Sequence, residues 1–541
     1  MSQDIQTLKE NMAKAAAADE RARQARHKAP PAAELNPSEN PTTAVPTSNI
    51  QVSVELPLPR QAELVFQALS VIPSPGLVQH GSGLSRVVCR AGRLLLEPHT
   101  RESLRGHVAR NVHFVKTDSQ GNKRDTNPSL GLMDDLLSLP AYPDCIPVVR
   151  SIKSSPMLTE HGNLITTSGL YPQYQVYLDL DPVLEGMTIP DTVTDDDLAA
   201  AVETLLDPFR DFPVEPDSVG NLFGLLFTMV LRELIDGVTP LFIVDANRPG
   251  AGKGLLVSAA SMISYGRDAD FSPANVASDE LRKRLLAVFR QGVPLHVLDN
   301  IEQVIWSPEL SAMLTSTHYT DRLLGVNELP AYQNNLILIG TGNNVRLGGD
   351  IPRRTVLIRL ESPCARPEER GDFTYPQLLP YLRTSRRDIL QAVYTIASVW
   401  MRSGRPVPEE TPAMGSFQPW ANFAAGLLSV VGATGLLENR NQLRARDLDE
   451  EEYETMLYRA RTHFCNGEFT ARQLCGALDP DDLPTALGNS PQVNLAKRMG
   501  RLLTRIEGRI LGSEQLRVRH LRTVDKTKYY GVECLGKEDL T

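Results

Sequence analysis

The segment best suited to chemistry is a glycine-rich stretch around Lys253. An apolar run, Pro240–Val244, leads into Asp-Ala-Asn-Arg-Pro-Gly-Ala-Gly-Lys-Gly, and a helical pattern, Leu255–Ala260, follows at once. Glycines let the backbone curl so that successive N–H groups face an anion, and the helix N-terminus adds its dipole. A lysine in this place reaches the β and γ oxygens of a nucleoside triphosphate. The sequence therefore predicts a phosphate-binding loop with these members: Asn247, Arg248, Pro249, Gly250, Ala251, Gly252, Lys253, Gly254 and Leu255.

Two positions depart from the common pattern GxxxxGK[ST]. Asn247 replaces the first glycine, which we expect to be a mild change because asparagine tolerates positive φ better than most residues. Gly254 replaces the Ser or Thr whose hydroxyl normally contacts Mg²⁺. Nucleotide kinases of the adenylate kinase type also carry GKG and hold magnesium largely through water, so loss of hydrolysis does not follow. The alternative interpretation is a glycine-rich strand-to-helix turn without a ligand.

A second candidate lies about forty residues further on, where an apolar run ends in a carboxylate. The strand Val293–Leu298 is followed by Asp299, which in a Walker B motif orients Mg²⁺ through its water shell. Asn300 stands where many ATPases carry a glutamate that polarises the attacking water. Glu302 is a candidate substitute base, since it lies on the same side if the strand continues. The alternative role for Asp299 is to cap a strand.

Polar residues follow a third apolar run, Asn335–Gly340. Asn343 and Asn344 are both candidates for the amide that holds the lytic water near the γ-phosphate. Arg353 and Arg354 then precede another apolar strand, and an arginine projected into a neighbouring subunit would stabilise charge on the transferred phosphoryl group. The alternative for each arginine is a surface salt bridge. The order and spacing of these motifs are stronger indications than any one of them.

The elements that must position these residues form an α/β pattern. Residues 238–361 alternate apolar strands with amphipathic helices, which predicts a parallel sheet with flanking helices. Two helical patterns precede it between Thr194 and Gly237. Residues 374–464 are mostly helical, and from 468 onward the order is helix, helix and strand pair, which is typical of a winged helix.

Length and composition indicate a multidomain α/β protein. A chain of 541 residues is too long to fold around a single hydrophobic core. The six cysteines form no CxxC pair, so we expect neither a zinc site nor a disulfide framework. No apolar run suits a signal peptide or a membrane span, which favours a cytoplasmic protein of a bacterial or phage-infected cell.

We predict a disordered arm at 1–49, a mixed α+β N-terminal domain at 50–190, an ATPase domain with a helical lead-in at 191–365, a helical domain at 366–467 and a basic winged-helix-like domain at 468–541.

Positive charge concentrates near the C-terminus, although the formal net charge of the chain is −9. Between Asn494 and Gly531 ten Lys or Arg face three acids, and ten minus three leaves an excess of seven. A predicted helix, Asn494–Ile510, and two β-like runs, Gln515–His520 and Lys528–Val532, would place cations on DNA phosphates with salt-dependent affinity and little base specificity. The alternative is a solvated basic face. The candidate DNA contacts here are Lys497, Arg498, Arg501, Arg505, Arg509, Arg517, Arg519, Arg522, Lys526 and Lys528.

Several of these segments resemble one known group of proteins, the AAA+ ATPase modules attached to or accompanying primases in phages, plasmids and integrative elements. The resemblance rests on Asp245–Leu256, Val297–Glu302, Asp321–Gly325, Thr341–Asp350 and Arg353–Arg354, and it extends over most of residues 140–540. These modules are similar to superfamily-three and MCM helicases. The resemblance implies ATP and Mg²⁺ as cofactors, nucleotide at subunit interfaces of a hexameric ring on single-stranded or forked DNA, and a separate primase as a candidate partner.

The same resemblance assigns a role to Asp321–Pro330. Related helicases carry a pore hairpin that grips DNA between the Walker B segment and the strand that precedes Asn343 and Asn344, and Arg322 is the cation in that place. The alternative role for Arg322 is to brace the nucleotide site.

Three functions compete on the sequence alone. The leading one is a replication helicase or initiator, and the second is an ATP-dependent DNA-binding scaffold or loader with weak hydrolysis, which Gly254 and Asn300 favour. A transcriptional regulator with an ATPase engine is the third. Asp179 and Asp181 resemble the DxD motif of archaeo-eukaryotic primases, but without a companion motif they predict no primase activity.

Overall fold

The computed structural model of the chain describes residues 50–70, 77–90, 92–274, 278–302, 307–322, 329–440, 442, 448–465, 467–484, 487, 495–512 and 514–535. The predicted arm at 1–49 lies outside these residues. The chain divides into two compact units, one of residues 1–71 with 105–129 and one of residues 72–104 with 130–541. The domain boundaries expected from the sequence stay predictions.

The bounds of the described elements are as follows. The strands are β1 Gln51–Ser53, β2 Val78–His80, β3 Gly83–Arg90, β4 Arg93–Pro98, β5 His113–Thr117, β6 Lys123–Thr126, β7 Ser151–Lys153, β8 Met157–Leu158, β9 Leu164–Ile165, β10 Gly169–Tyr171, β11 Val176–Leu178, β12 Leu241–Ala246, β13 Phe271–Pro273, β14 Leu295–Ile301, β15 His318–Thr320, β16 Ala331–Gln333, β17 Ile337–Asn343, β18 Thr355–Leu360, β19 Phe469–Thr470, β20 Ile510–Leu511, β21 Leu516–Val524 and β22 Thr527–Cys534. The α-helices are α1 Leu58–Ser70, α2 Arg101–Asn111, α3 Leu130–Leu137, α4 Asp195–Leu206, α5 Pro216–Val230, α6 Lys253–Tyr265, α7 Ser278–Arg290, α8 Pro308–Thr315, α9 Leu378–Arg402, α10 Gln418–Val431, α11 Leu448–Phe464, α12 Ala471–Ala477 and α13 Leu495–Ile506.

The first unit contains a small sheet in the order β1-β5-β6. β1 pairs in parallel with β5, and β5 pairs antiparallel with β6. Val52, Phe66 and Phe114 are buried, so the apolar face of α1 and these strands supply the core of this unit.

A five-stranded sheet in the order β13-β14-β17-β12-β18 dominates the second unit. All of its strand pairs are parallel, which confirms the predicted parallel α/β sheet. β12 and β18 are buried along their whole length, as expected for strands covered on both faces. Helix α10 packs on this sheet through Trp420, whose ring meets Phe242 edge to face at 5.7 Å between centroids.

Parallel strands end at the same edge of a sheet, and here that edge collects the motifs of interest. β12, β14 and β17 end at Ala246, Ile301 and Asn343. The glycine-rich loop follows β12, Asp299 lies near the end of β14, and Asn343 is the last residue of β17, so the fold itself brings them together.

The outer edge of β18 is covered by buried amides. Asn221 on α5 donates to the carbonyl of Leu357 at 2.7 Å, and Asn439 donates to the same oxygen at 3.0 Å. Asn221 also accepts from the amide of Leu437 at 2.8 Å, and Asn439 donates to Ser218 at 2.9 Å. These side chains satisfy backbone groups that an edge strand would otherwise leave unpaired.

The C-terminal residues form a separate core around an antiparallel sheet in the order β19-β22-β21-β20. The predicted order of helix, helix and strand pair is present, with longer strands and a shorter second helix than expected. Helix α13 ends at Ile506 because Gly508 adopts φ +77° and β20 begins at Ile510. Asp525 and Lys526 both have positive φ, which matches a two-residue hairpin turn of type I′.

Among the helices that the structure describes, none combines the length and the apolar character needed to span a bilayer.

We predict that Asn221→Leu lowers the free energy of unfolding by about 1–3 kcal/mol, because it leaves the buried amide of Leu437 without its acceptor. Urea denaturation followed by circular dichroism measures the effect, with the exposed Gln120→Leu as the control. An unchanged midpoint for Asn221→Leu would show that the edge of β18 does not depend on this amide.

Candidate active site

The glycine-rich loop turns sharply between β12 and α6. Gly250 and Gly252 have φ of +78° and +94°, a conformation that favours glycine. A Cβ built on Gly250 would lie 2.7 Å from a carboxylate oxygen of Glu368, and one on Gly252 would lie 3.2 Å from the ring of Phe212. Both glycines are therefore required by backbone conformation and by close neighbours, and Gly252 caps the N-terminus of α6.

Asn247 does not act as the sequence led us to expect. It is absent from the residues with positive φ, so its tolerance of that region is not what permits it here. Its side-chain amide donates to Glu361 at 2.9 Å and to the carbonyl of Ser362 at 3.0 Å, and its oxygen accepts from the amide of Ser362 at 3.0 Å. Asn247 thus fastens the start of the loop to the chain that follows β18. Arg248 and Pro249 are exposed beside it.

Lys253 is the first residue of α6 and points across the sheet edge. Its Nζ donates to Oδ1 of Asn343 at 2.7 Å. Partial burial lowers the pKa of Lys253, while the carboxylates of Asp245 and Asp299 act in the opposite direction. Of the two asparagines that are candidates to hold the lytic water, Asn343 is the one that contacts the lysine. Ala251 is buried beneath the loop, and Leu255 on the first turn of α6 is 43% exposed.

Asp299 is held by Thr341, a residue to which the sequence motifs assign no role. Thr341 on β17 donates to Oδ1 of Asp299 at 2.6 Å, and it accepts from the backbone amide of Asn300 at 3.1 Å. Thr341 is almost fully buried. The sequence shows Thr341 as a polar residue at the end of an apolar strand. It does not show that β17 lies beside β14, which is what brings Thr341 to Asp299.

The strand does not continue regularly past Asp299, so the condition under which we expected Glu302 on the same side as Asp299 is not met, and its role as a base stays a prediction. The register of β14 against β17 shifts between Leu298 and Ile301, and Asn300 adopts φ +56°. Glu302 follows the end of β14, and its Oε1 accepts from the side-chain amide of Asn300 at 2.6 Å. The β-bulge at Asn300, rather than regular strand alternation, therefore brings the side chains of Asn300 and Glu302 together.

Asn344 follows the last residue of β17 and contacts Arg359 on β18. It has φ +50°, and its Oδ1 accepts from Nη2 of Arg359 at 3.0 Å. Arg359 also donates to Oδ2 of the fully buried Asp245 at 2.5 Å, while Oδ1 of Asp245 accepts from the amide of Val345 at 3.0 Å. This buried pair ties the end of β12 to β18. The sequence carries a signal for this pair, because Asp245 and Arg359 are charged residues within apolar strands, and a buried charge needs a partner.

The two adjacent arginines have different surroundings. Arg353 forms two hydrogen bonds to Asp350, at 2.9 and 2.7 Å, yet its side chain is 66% exposed. Arg354 is 12% exposed and donates to the carbonyl of Ser311, to Thr315 at 3.1 Å and to Asp350 at 3.0 Å. Of these two arginines, Arg353 is the more exposed.

Arg322 lies just past β15, before residues 323–328, so the turn expected to grip DNA lies outside the described residues. β15 and β16 pair antiparallel, as a hairpin requires. Arg322 is exposed, and its backbone amide donates to Asp321 at 2.8 Å.

The basic residues near the C-terminus fall into two groups. Several are engaged within the chain: Arg517 and Arg519 share Glu533, Arg522 pairs with Glu468, Arg505 donates to the hydroxyl of Tyr453, and Arg498 donates to the carbonyl of Leu487. Lys497, Arg501, Arg509, Lys526 and Lys528 are exposed, on α13, just before β20 and in the β21–β22 hairpin, and Lys528 also donates to Thr504 at 3.4 Å. The exposed group is the better candidate for phosphate contacts.

The residues at the sheet edge fit magnesium bound mainly through water. Among the described residues, no group of three or more His, Cys, Asp or Glu could hold a metal ion. Mg²⁺ usually keeps several waters and takes one or two carboxylates together with phosphate oxygens. Asp299, oriented by Thr341, meets that requirement as a single carboxylate.

The comparisons with known proteins give structural neighbours of low similarity. No family model and no curated protein matches the sequence. The A-form apo structure of the NrS-1 C-terminal region is 10% identical, with a TM-score of 0.38 over 86% of this chain and 98% of that one. A JCV helicase bound to a small molecule is 14% identical, with a TM-score of 0.23 over 49% of this chain and 65% of that one.

We predict that Thr341→Val lowers the rate of any ATP hydrolysis at this site roughly 10- to 100-fold, since residues that orient a metal-binding carboxylate commonly contribute that much. The Mg²⁺ concentration for half-maximal rate should rise as well, because Asp299 loses its hydroxyl partner. Thr341→Ser keeps the hydroxyl and should retain most activity. Equal rates for Thr341→Val and the unaltered protein would rule out this positioning role.

Proposed function

We propose that the chain is an AAA+ ATPase that acts as a DNA motor, a replication helicase or initiator of a phage or mobile element. One observation carries the proposal. Lys253 begins the helix after β12, Asn343 ends β17 and Asp299 lies near the end of β14, and these three strands are neighbours in the sheet. Lys253 Nζ is 2.7 Å from Asn343 Oδ1. A strand order in which β17 separates β12 from β14 further supports an AAA+ core.

The proposed mechanism assigns one task to each of these residues. The backbone amides of residues 247–255 and the Lys253 ammonium group bind the phosphates of ATP, so Lys253 exchanges its bond to Asn343 for phosphate oxygens. Asn343 then holds the attacking water. Asp299 would hold Mg²⁺, which neutralises charge on the phosphate oxygens when bound. Thr341 keeps Asp299 in orientation throughout.

Ring assembly would complete the site. In the proposed ring, which we expect to be hexameric, Arg353 reaches the nucleotide of the neighbouring subunit and stabilises charge on the transferred phosphoryl group. Its high exposure supports this role, and Asp350 would hold it until the interface forms. Arg354, which braces α8, has a structural role in its own subunit.

DNA would be contacted at two places. Arg322 lies on the segment between β15 and β16 that we assign to the pore. The exposed cations of α13 and the β21–β22 turn, Lys497, Arg501 and Lys526 among them, would bind phosphates in a winged-helix mode. A separate primase remains a candidate partner of such a motor.

A second function is favoured by two specific observations: an ATP-dependent scaffold or loader that assembles on DNA with weak hydrolysis. Gly254 lacks the metal-binding hydroxyl although packing leaves room for one, since the nearest atom to a Cβ there is Phe271 Cζ at 3.9 Å. The amide of Asn300, where a base is usual, is bonded to Glu302.

We predict that the purified protein hydrolyses ATP, that single-stranded DNA stimulates the rate, and that Lys253→Ala abolishes the activity because the phosphates lose their cation. Steady-state ATPase assays with and without DNA measure this, alongside mass determination in the presence of ATP. Activity retained in Lys253→Ala would remove the assignment of the loop. ATP-dependent assembly on DNA without hydrolysis or unwinding of a forked duplex would establish the scaffold instead.

We predict that Arg353→Ala reduces hydrolysis by about 10³-fold or more, the usual contribution of an arginine supplied to a phosphoryl transfer site. Mixing it with Lys253→Ala should restore part of the activity, because a mixed interface then pairs an intact Lys253 with an intact Arg353. Arg354→Ala is the comparison, and we expect a lower melting temperature from it. Failure of the mixture to recover any activity would refute a role across the interface.

A further inference from the structure

The chain that follows β18 runs alongside the glycine-rich loop. Asn247, at the start of the loop, exchanges hydrogen bonds with the backbone of Ser362, just after the end of β18. Further on, Glu368 packs directly on Gly250. The Cβ position of that glycine lies 2.7 Å from Oε2 of Glu368 and 3.2 Å from its Cβ. A carboxylate therefore lies against the loop to which we assign the phosphates of ATP.

Contacts on both sides of Glu368 hold it in this place. Arg370 donates to the carbonyl of Asp211 at 2.8 Å, and the backbone amide of Thr374 donates to Oδ2 of Asp211 at 2.6 Å. The other end of the segment is held by its contact with the start of the loop. Residues 362–374 are thus attached at both ends, with Glu368 between the two attachments.

Glu368 differs from the other acidic residues of this part of the chain. Residues 361–372 include four carboxylates, and three of them form ion pairs: Glu361 with Arg359 at 3.3 Å, Glu369 with Arg366 at 2.9 Å and Asp372 with Arg370 at 2.7 Å. Glu368 is exposed and, within the residues that the structure describes, forms no ion pair. Because an ionised carboxylate only accepts hydrogen bonds, Glu368 offers two acceptor oxygens beside the loop.

The strand order indicates which end of a bound nucleotide lies near this carboxylate. In the proposed function, the γ-phosphate faces Asn343 and Asp299, at the ends of β17 and β14. β18 lies on the opposite side of β12 from these two strands. A triphosphate that follows the loop with its γ end at β17 therefore directs its nucleoside toward β18 and the segment after it, where Glu368 lies.

We propose that Glu368 binds the ribose of ATP by accepting hydrogen bonds from the 2′ and 3′ hydroxyl groups, and so makes the site selective for ribonucleotides. This inference rests on the proposed function, because it takes the glycine-rich loop to be the phosphate site. A neutral sugar can lie against a carboxylate that would repel a phosphate. Two adjacent hydroxyls match the two oxygens of one carboxylate, and in dinucleotide-binding folds an Asp or Glu holds a ribose hydroxyl in this manner.

Isothermal titration calorimetry of the full chain with ATP, 2′-deoxy-ATP and 3′-deoxy-ATP in the presence of Mg²⁺ tests the proposal without requiring hydrolysis. We expect each deoxy analogue to bind roughly tenfold more weakly than ATP, the lower end of the contribution of a hydrogen bond to a charged group. Glu368→Ala should remove this difference, because all three nucleotides then lack the acceptor. Glu369→Ala is the matched control, since this neighbouring carboxylate is also exposed but pairs with Arg366, and the difference should remain.

The outcomes separate the role of Glu368 from the function on which it rests. If the unaltered protein binds neither ATP nor its analogues, the assignment of the loop fails, and the role of Glu368 fails with it. Equal affinity of the unaltered protein for all three nucleotides would overturn the role of Glu368 alone. An unchanged ratio of affinities in Glu368→Ala would also overturn it, and tighter binding of all three would then mean that the carboxylate only repels the phosphates. Because the ratio is measured within one preparation, a partly misfolded variant does not alter it.

Discussion

The position of β17 between β12 and β14 is the constraint on which the site depends. Residues at the end of β17 can contact both neighbouring strands. Thr341 donates a hydrogen bond to Asp299 on β14, and Asn343 accepts one from Lys253, which follows β12. Parallel pairing of the long buried strands β12, β17 and β14 brings Lys253, Asn343 and Asp299 together. The sheet therefore fixes the separation of Lys253 and Asp299, which do not bond each other directly. The proposed site is therefore as rigid as the sheet that carries it.

A buried charge pair holds the end of β12, from which the glycine-rich loop begins. Asp245 and Arg359 lie among apolar strands, and such a pair is costly to desolvate unless every remaining polar atom is bonded. Arg359 satisfies this condition through Asp245, Glu361 and Asn344, and Asp245 also accepts from Val345. The same contacts tie the end of β12, the turn after β17 and β18 into one network. This network sets the direction in which the chain enters the glycine-rich loop, and Asn247 continues it by bonding Ser362.

Much of this arrangement was predictable from the sequence, because strand order along the chain and the polar residues after each strand are local signals. The parallel α/β sheet was predicted and is present, and Lys253, Asp299 and Asn343 do lie at one edge. Thr341, Asp245 and Arg359 were missed as functional partners because their importance comes from which strands are adjacent, and residues far apart in sequence decide that. Glu302 was misplaced for a related reason, since strand periodicity cannot reveal the bulge at Asn300. The C-terminal cations show a third limit, because only the structure reveals that Glu533 compensates Arg517 and Arg519.

The two unusual residues of the proposed site would act on different parts of the reaction. Gly254 lacks the hydroxyl that would bind Mg²⁺, and a water molecule would take that place while Thr341 keeps Asp299 oriented. Asn300 removes a base from its usual place, but its amide holds the Glu302 carboxylate at 2.6 Å, so an acidic group remains at the end of β14. These changes do not add up to a single defect. They would keep phosphate binding by Lys253 intact and leave the base as the step at which the motor and the scaffold differ, because the Asn300 amide cannot accept a proton and the Glu302 carboxylate would have to reach the attacking water in its place.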